Sequence, residues 1–404
     1  MRFAVWLFFC SSMVPIGARA QSAVRLADPA HPFAGITSAE QWKAKFISGK
    51  PKVVRDDPFG NMTTREFWQH SWKGQNIDHP FRPPDAIKGS GGEGVVIRSP
   101  YPYESAEAQY DAWRKAANGG TTPPRRARPD WSGDWHGVSA GVLIGSAKIS
   151  DVLAAVSDAY KPRYLELLRG EWEGGHQWWP GEFCLPDGFG RLWWVDGTTH
   201  FMMDQHMVLI NKDRPDNPTR YVYTDGRGFL PKDQQVPDWY GDSEGFWDGD
   251  ELVIYTKNIR RWAITHGLPE FSDKLEAVER LKRFGGELLD DVTLYDPEAF
   301  AFPWHDLVIY EKYKDWTVAP ATYQDCVSTN NIYMDSKGVL QERVPGDAGY
   351  TDLSDDRPWA TAYKLWDSAH PKAAARWRAI FRRALNGSSG RVAPASTSDG
   401  GTRQ

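Results

Sequence analysis

The chain has 404 residues and a formal net charge of -5, with 53 acidic against 48 basic side chains. That mild balance offers no electrostatic case for nucleic acid or for an anionic membrane surface. The length suffices to bury a large core in one domain or two, and the outlying quantity is tryptophan, at 20 residues.

Met1–Ala20 reads as a secretory signal peptide: Arg2, the largely apolar Phe3–Ile16, then Ala18-Arg19-Ala20 as a cleavage pattern. Export is expected, most simply to the periplasm. No later stretch approaches about 18 uninterrupted apolar residues, so no membrane span is expected. Beyond that segment only Cys184 and Cys326 remain. In an oxidising compartment they can form a disulfide; two buried thiols are the alternative.

Residues 21–128 form an N-terminal extension with short helices at Ser38–Ile47 and Ser105–Ala117. The proline- and arginine-rich Thr121–Pro129 reads as an exposed linker. Ser150–Gly170 carries a helical stripe that Pro162 kinks or splits. Within the core domain, 129–340, short apolar or alternating runs are separated by turn dipeptides. Arg191–Val195 precedes Asp196-Gly197, Arg220–Thr224 precedes Asp225-Gly226, and Gly245–Trp247 precedes Asp248-Gly249. Leu252–Thr256, Leu275–Phe284, Leu288–Tyr295, Leu307–Tyr313 and Trp316–Thr322 complete the series. This grammar predicts a mainly β fold, an antiparallel barrel or sandwich with a lipocalin-like barrel favoured, and helical flanks at both ends. Residues 341–386 supply the C-terminal helices, over Trp359–Ala369 and Pro371–Leu385, and 387–404 a disordered tail.

Thr199–Ile210 stands out chemically. As one strand it places His200, Met202, Asp204 and His206 on one face of an apolar segment. Histidine titrates near neutral pH, so this face is a candidate for proton transfer. Asp225 and Arg227, two apart after a strand, either pair with each other or hold a polar ligand. Glu279-Arg280 reads as an ion pair or network on a strand face. Phe302-Pro303-Trp304 reads as a corner with His305 at its edge. Asp242 and Glu244 are carboxylates in a loop after Trp239. Metal binding is not expected, for want of HExxH or CxxC patterns. The absence of a P-loop or G-x-G-x-x-G fingerprint argues against nucleotide cofactors.

The segments PDWSGDW (Pro129–Trp135), CLPDGFGR (Cys184–Arg191), YTDGR (Tyr223–Arg227), GFWDGDELV (Gly245–Val253), FSDKLEAVER (Phe271–Arg280), DPEAFAFPW (Asp296–Trp304) and C-x-x-x-N-N (Cys326–Asn331) together resemble a large, little-characterised family of exported bacterial proteins. The resemblance covers roughly 129–335 and implies export and a β-rich, barrel-like core; it carries over no activity. Where relatives read His-Ser-Asp, this chain has Phe271-Ser272-Asp273. Where they place a Pro-Gly turn between strands, it has Asp204-Gln205. A two-residue turn there pairs Met203 with His206 and sends His200 and His206 to opposite faces. The alternation and the resemblance therefore predict different geometries, and a turn near Asp204 is favoured.

The leading functional expectation is a cofactor-independent enzyme of the lyase, isomerase or hydrolase kind. It would act by general acid–base chemistry on a small apolar or aromatic molecule in an aromatic-lined cavity. His200 or His206 would move the proton, Asp204 or Asp225 orient it, and Arg227 stabilise negative charge. Trp193, Trp194, Met202, Tyr223, Trp239, Glu244 and Trp247 are the expected binding residues. One alternative is a non-catalytic binder of apolar ligands. Another is a carbohydrate-active or carbohydrate-binding protein with Asp242 and Glu244 facing a groove.

Overall fold

The computed structural model describes residues 24–47, 53–73, 89–92, 94–121, 129–139, 145–172, 186, 188–192, 198–212, 219–313, 332–334, 336, 340–342, 348, 367–368 and 371–389. Nine strands close into one barrel: β1 (Gly133–Ser139), β2 (Thr198–Met203), β3 (Met207–Lys212), β4 (Thr219–Tyr223), β5 (Asp242–Asp248), β6 (Glu251–Lys257), β9 (Glu276–Phe284), β10 (Glu287–Tyr295) and β11 (Trp304–Lys312). Between β6 and β9 lies the small hairpin β7 (Ala263–Thr265) and β8 (Leu268–Glu270), and β12 (Ile332–Met334) pairs with β13 (Leu340–Glu342). The barrel order is β1-β11-β10-β9-β6-β5-β4-β3-β2, with β1 bonded to both β11 and β2. Closure leaves no free edge. The structure is thus the mainly β barrel that the strand grammar predicts, rather than a sandwich.

Two-residue turns set much of the register. Asp248 pairs with Glu251 across Gly249-Asp250, and Phe284 with Glu287 across Gly285-Gly286. Gly249 and Gly285 adopt φ of 62° and 61°, a region that costs other residues. One pair departs from the antiparallel expectation: β4 and β5 run parallel, Val222 beside Ser243. The connection from Thr224 to Gly241 returns the chain to the far end of the barrel, where a tight hairpin could not.

Thr199–Ile210 is two strands, not one. Met203 pairs with Val208, and the Asp204 N–H donates to the Met207 carbonyl at 2.9 Å, so the turn residues are Gln205 and His206. The turn falls one residue later than the Asp204-Gln205 alternative, and Met203 does not face His206. The Asp204 carboxylate accepts the His206 N–H at 3.0 Å, which fixes Asp204 as the residue before the turn.

Among the described residues the α-helices are α1 (Ala39–Lys43), α2 (Thr64–Lys73), α3 (Ala106–Ala116), α4 (Ile149–Ala155), α5 (Lys161–Trp172) and α6 (Pro371–Ser389). Ser38 and Ser105 cap α1 and α3 by accepting the N–H of Gln41 and of Ala108. Pro162 falls in the first turn of α5, where its missing N–H costs nothing, so the stripe splits instead of kinking. The C-terminal helix continues past Leu385 to Ser389. Of Trp359–Ala369 only 367–368 are described, and they are helical. Among the described residues, no helix is long and apolar enough to cross a membrane.

The extension wraps the outside of the barrel. Trp42 of α1 packs with Leu289, Leu307 and Ile309; Tyr110 and Trp113 of α3 pack with Phe246, Val253 and Val278. Those barrel residues point away from the lumen, so β6, β9, β10 and β11 are buried on both faces. Trp42, Trp113, Trp131, Trp135, Trp247, Trp304 and Trp377 are all less than 2% exposed. For these seven, the tryptophan excess is core, as plain aromatic packing requires.

Candidate functional site

Period-2 alternation decides which side chains enter the barrel. Trp247, Leu252, Ile254, Leu281, Leu288 and Val308 point inward and belong to the main core cluster. The same parity sends Arg220, Ser243, Thr256, Glu279, Asp290 and Asp306 inward, and all six are buried. Polar groups therefore occupy the middle of an aromatic lumen. The Arg220 guanidinium donates through Nη1 to Glu279 Oε1 at 2.9 Å and through Nη2 to Oε2. It also donates to Ser243 Oγ at 3.0 Å and Thr256 Oγ1 at 2.6 Å. A fork held this way meets its carboxylate on two nitrogens and keeps its other N–H groups satisfied.

Asp290 is different. It is 4% exposed, and its Oδ1 has no hydrogen-bond partner among the described residues. Burial pushes its carboxyl well above the usual carboxylate range; Glu279, Asp291 and Asp306 push it further and Arg220 opposes them. Tyr310, on the inner face of β11, is raised by burial and then by Asp290 foremost among the charges, so its phenol stays protonated. Among the described residues the lumen thus holds the Arg220–Glu279 ion pair beside a carboxyl group of raised proton affinity.

A second buried acid lies one residue on, with the opposite parity. Asp291 faces outward under the extension and accepts from the Trp42 indole at 2.5 Å and the Tyr101 hydroxyl at 2.8 Å. His305 Nε2 is 2.8 Å from the same carboxylate, and the His305 ring packs against Phe46 at 4.1 Å. This cluster fastens extension to barrel. His305 is therefore interior to that joint rather than at the edge of a corner, although Phe300 does stack on Trp304 at 4.0 Å. Nearby, Arg98 lies over Phe302 at 3.8 Å beside an open cleft of about 430 Å³ that also touches Arg25, Tyr101 and Tyr103.

Most of the described residues singled out in the sequence are spread over the outer wall and its turns. His200 points outward from β2, and its Nδ1 is 2.7 Å from Asp134 Oδ1 on the neighbouring β1. Its Nε2 is buried without a partner among the described residues. His206 and Asp204 lie exposed in the hairpin turn. Asp225 and Arg227 pair with each other in an exposed turn, Nη2 to Oδ2 at 2.6 Å, and this hydrogen bond holds the Asp225 carboxyl below its usual range. Met202 and Tyr223 face outward; Glu244, half-buried on the outer face of β5, has its carboxyl raised by burial. Asp242 accepts from Asn258 at 2.6 Å, and Trp239 packs edge-on to Trp262. Of the expected binding residues, Trp247 enters the lumen. Trp193, Trp194, Cys184, Cys326 and Trp316–Thr322 lie outside the described residues, as do all of Arg191–Val195 but Arg191, in a short 3-10 turn, and Leu192.

Glu279 and Arg280 do not pair with each other, because neighbours on a strand project to opposite faces. Glu279 meets Arg220 inside, whereas Arg280 meets Asp248 and Glu251 outside. Arg220, Asp290 and Asp306 were not singled out by sequence, although Arg220 shares its strand parity with Val222. Among the described residues no group of three or more His, Cys, Asp or Glu side chains is placed to hold a metal ion.

Fold and site together define a closed nine-stranded barrel with a polar cluster sealed among aromatic side chains. No protein-family model matches the chain, and no curated protein sequence matches it. Among solved structures the fluorescent protein UnaG is similar, as wild type and as a substitution mutant, at 14% identity. These span 45% and 46% of this chain and 97% of theirs, with TM-scores of 0.22 and 0.23. At such scores the likeness carries no argument, and the barrel rests on its own strand pairing.

Proposed function

We propose that the barrel lumen binds a small, largely apolar or aromatic molecule. The observation that carries this reading is Asp290: a buried carboxyl group with no partner for its Oδ1 among the described residues, in an interior where Trp, Phe, Leu and Val side chains surround a small polar cluster. Buried polar groups are rarely left unsatisfied without a functional reason. Aromatic walls with a few placed polar groups are the usual make-up of a small-molecule site. Titration with the neutral probe N-phenyl-1-naphthylamine is expected to be saturable with one site and to quench tryptophan emission. Unsaturable partitioning would contradict the reading.

The raised proton affinity of Asp290 has its own signature. A folded-state pKa above the unfolded value means that the folded form holds its proton longer. Stability from this group is complete below the unfolded pKa, near 4, and falls as pH rises toward the folded pKa. Asp290→Asn should therefore melt above wild type at pH 8 by more than at pH 4. An increment that does not grow with pH would show that Asp290 is ionised in the fold.

A second reading is favoured by His200. With Asp134 at Nδ1 and Nε2 left over, the pair has the form of an oriented general base, as a cofactor-independent lyase, isomerase or hydrolase would need. His206→Ala should leave every property within about twofold of wild type. Should a turnover assay be found, His200→Ala and Asp134→Asn should both depress it while binding in the lumen persists. Turnover insensitive to His200→Ala would remove His200 and Asp134 as its general base. Export and the family resemblance remain part of this proposal: a periplasmic protein meets small apolar molecules that cross the outer envelope.

A further inference from the structure

If the lumen holds a ligand as proposed, its walls also specify the chemistry of that ligand's polar group, an inference that rests on the lumen reading. Trp247, Leu252, Leu281 and Asp290 lie on one continuous rung across β5, β6, β9 and β10, all facing inward. Trp131 closes onto Trp247 with ring centroids 5.0 Å apart. Both indoles are fully buried, and neither Nε1 has a hydrogen-bond partner among the described residues. Two unsatisfied polar atoms, Trp247 Nε1 and Asp290 Oδ1, thus belong to one rung of the barrel, and Trp131, whose ring packs on Trp247, carries a third at its Nε1.

An indole N–H can only donate. We infer that the lumen ligand presents a neutral oxygen acceptor of the carbonyl class, received by the Asp290 carboxyl group and the indole N–H groups of Trp131 and Trp247. The raised proton affinity of Asp290 supports this, since a neutral carboxyl group donates as well. The other ligand chemistries fit less well. A carboxylate would enter among Glu279, Asp290 and Asp306, with Arg220 already committed to Glu279. An ammonium group would find two indole donors and no acceptor in them. The titratable and charged groups around Asp290 are Glu279 from β9, Arg220 from β4, Asp306 and Tyr310 from β11, and the outward-facing Asp291 next along its own strand.

Three probes with one ring system test the inference on the full-length protein: 2-acetonaphthone, 2-naphthoate and 2-naphthylmethylamine, titrated at pH 7 by calorimetry and tryptophan quenching. The ketone should bind at least about tenfold more tightly than either ion. Asp290→Leu, which places an apolar group of the same branched shape there, should fold and weaken the ketone by about tenfold. Asp290→Asn, which keeps an N–H donor, should hold it within about threefold. Naphthoate or the amine binding as tightly as the ketone overturns the inference, as does Asp290→Leu binding the ketone like wild type; both leave the lumen reading standing. If none of the three binds, the lumen reading itself fails.

Discussion

Replacing Arg220 by methionine is expected to destabilise the fold by about 3–5 kcal/mol. Arg220 and Glu279 are 2% and 1% exposed and bonded through two nitrogens. Removing the cation leaves the buried Glu279 carboxyl group without its partner and facing Asp290 and Asp306. The attraction between two buried ions roughly repays their desolvation, so the damage lies in breaking the pair rather than in lacking it. The double variant Arg220→Met with Glu279→Leu should therefore recover to about wild-type stability or above. Urea unfolding read by circular dichroism separates the cases. A single variant costing under about 1 kcal/mol, or a double variant no better than the single, would contradict this account of the lumen.

Asp291→Ala is expected to cost a similar amount by a different route. Three buried groups, the Trp42 indole, the Tyr101 hydroxyl and His305 Nε2, converge on that carboxylate. Each orphaned group costs about 1–3 kcal/mol, and two belong to the extension rather than to the barrel. The loss should therefore appear first as detachment, with limited proteolysis cutting within residues 24–47 while the barrel persists. Asp291→Asn keeps one acceptor oxygen and should suffer less. Proteolysis unchanged in Asp291→Ala would mean that apolar packing around Trp42 alone holds the joint.

Much of the barrel was legible because its turns are chemical. The Asp248-Gly249 dipeptide marked the β5–β6 hairpin, and short apolar or alternating runs marked the strands. The site was harder to read for two reasons. The outer faces of β9, β10 and β11 are covered by α1 and α3, so the contrast between a wet and a dry face disappears. In Leu288-Leu-Asp-Asp-Val-Thr-Leu294 one aspartate enters the lumen and its neighbour enters the joint, and both are buried. The even spacing of His200 and His206 was misleading because a turn intervenes, set by the Asp204 side chain. Strict alternation applied to Glu279-Arg280 and to Arg220-Tyr-Val222 would have sent Glu279 and Arg220 inward together. Their pairing across β4 and β9 depends on closure of the barrel, which no local pattern encodes.

The most direct test of the lumen as the binding site is photolabelling with benzophenone, a neutral aromatic ketone that inserts where it is held. After irradiation of the full-length protein, mass spectrometry should place the label on lumen-facing residues of β5, β6, β9, β10 and β11, near Trp247, Leu281 and Val308. Excess 2-acetonaphthone should suppress it. Label confined to the outer cleft around Arg98 and Tyr103, or scattered over the surface and insensitive to the competitor, would contradict the account.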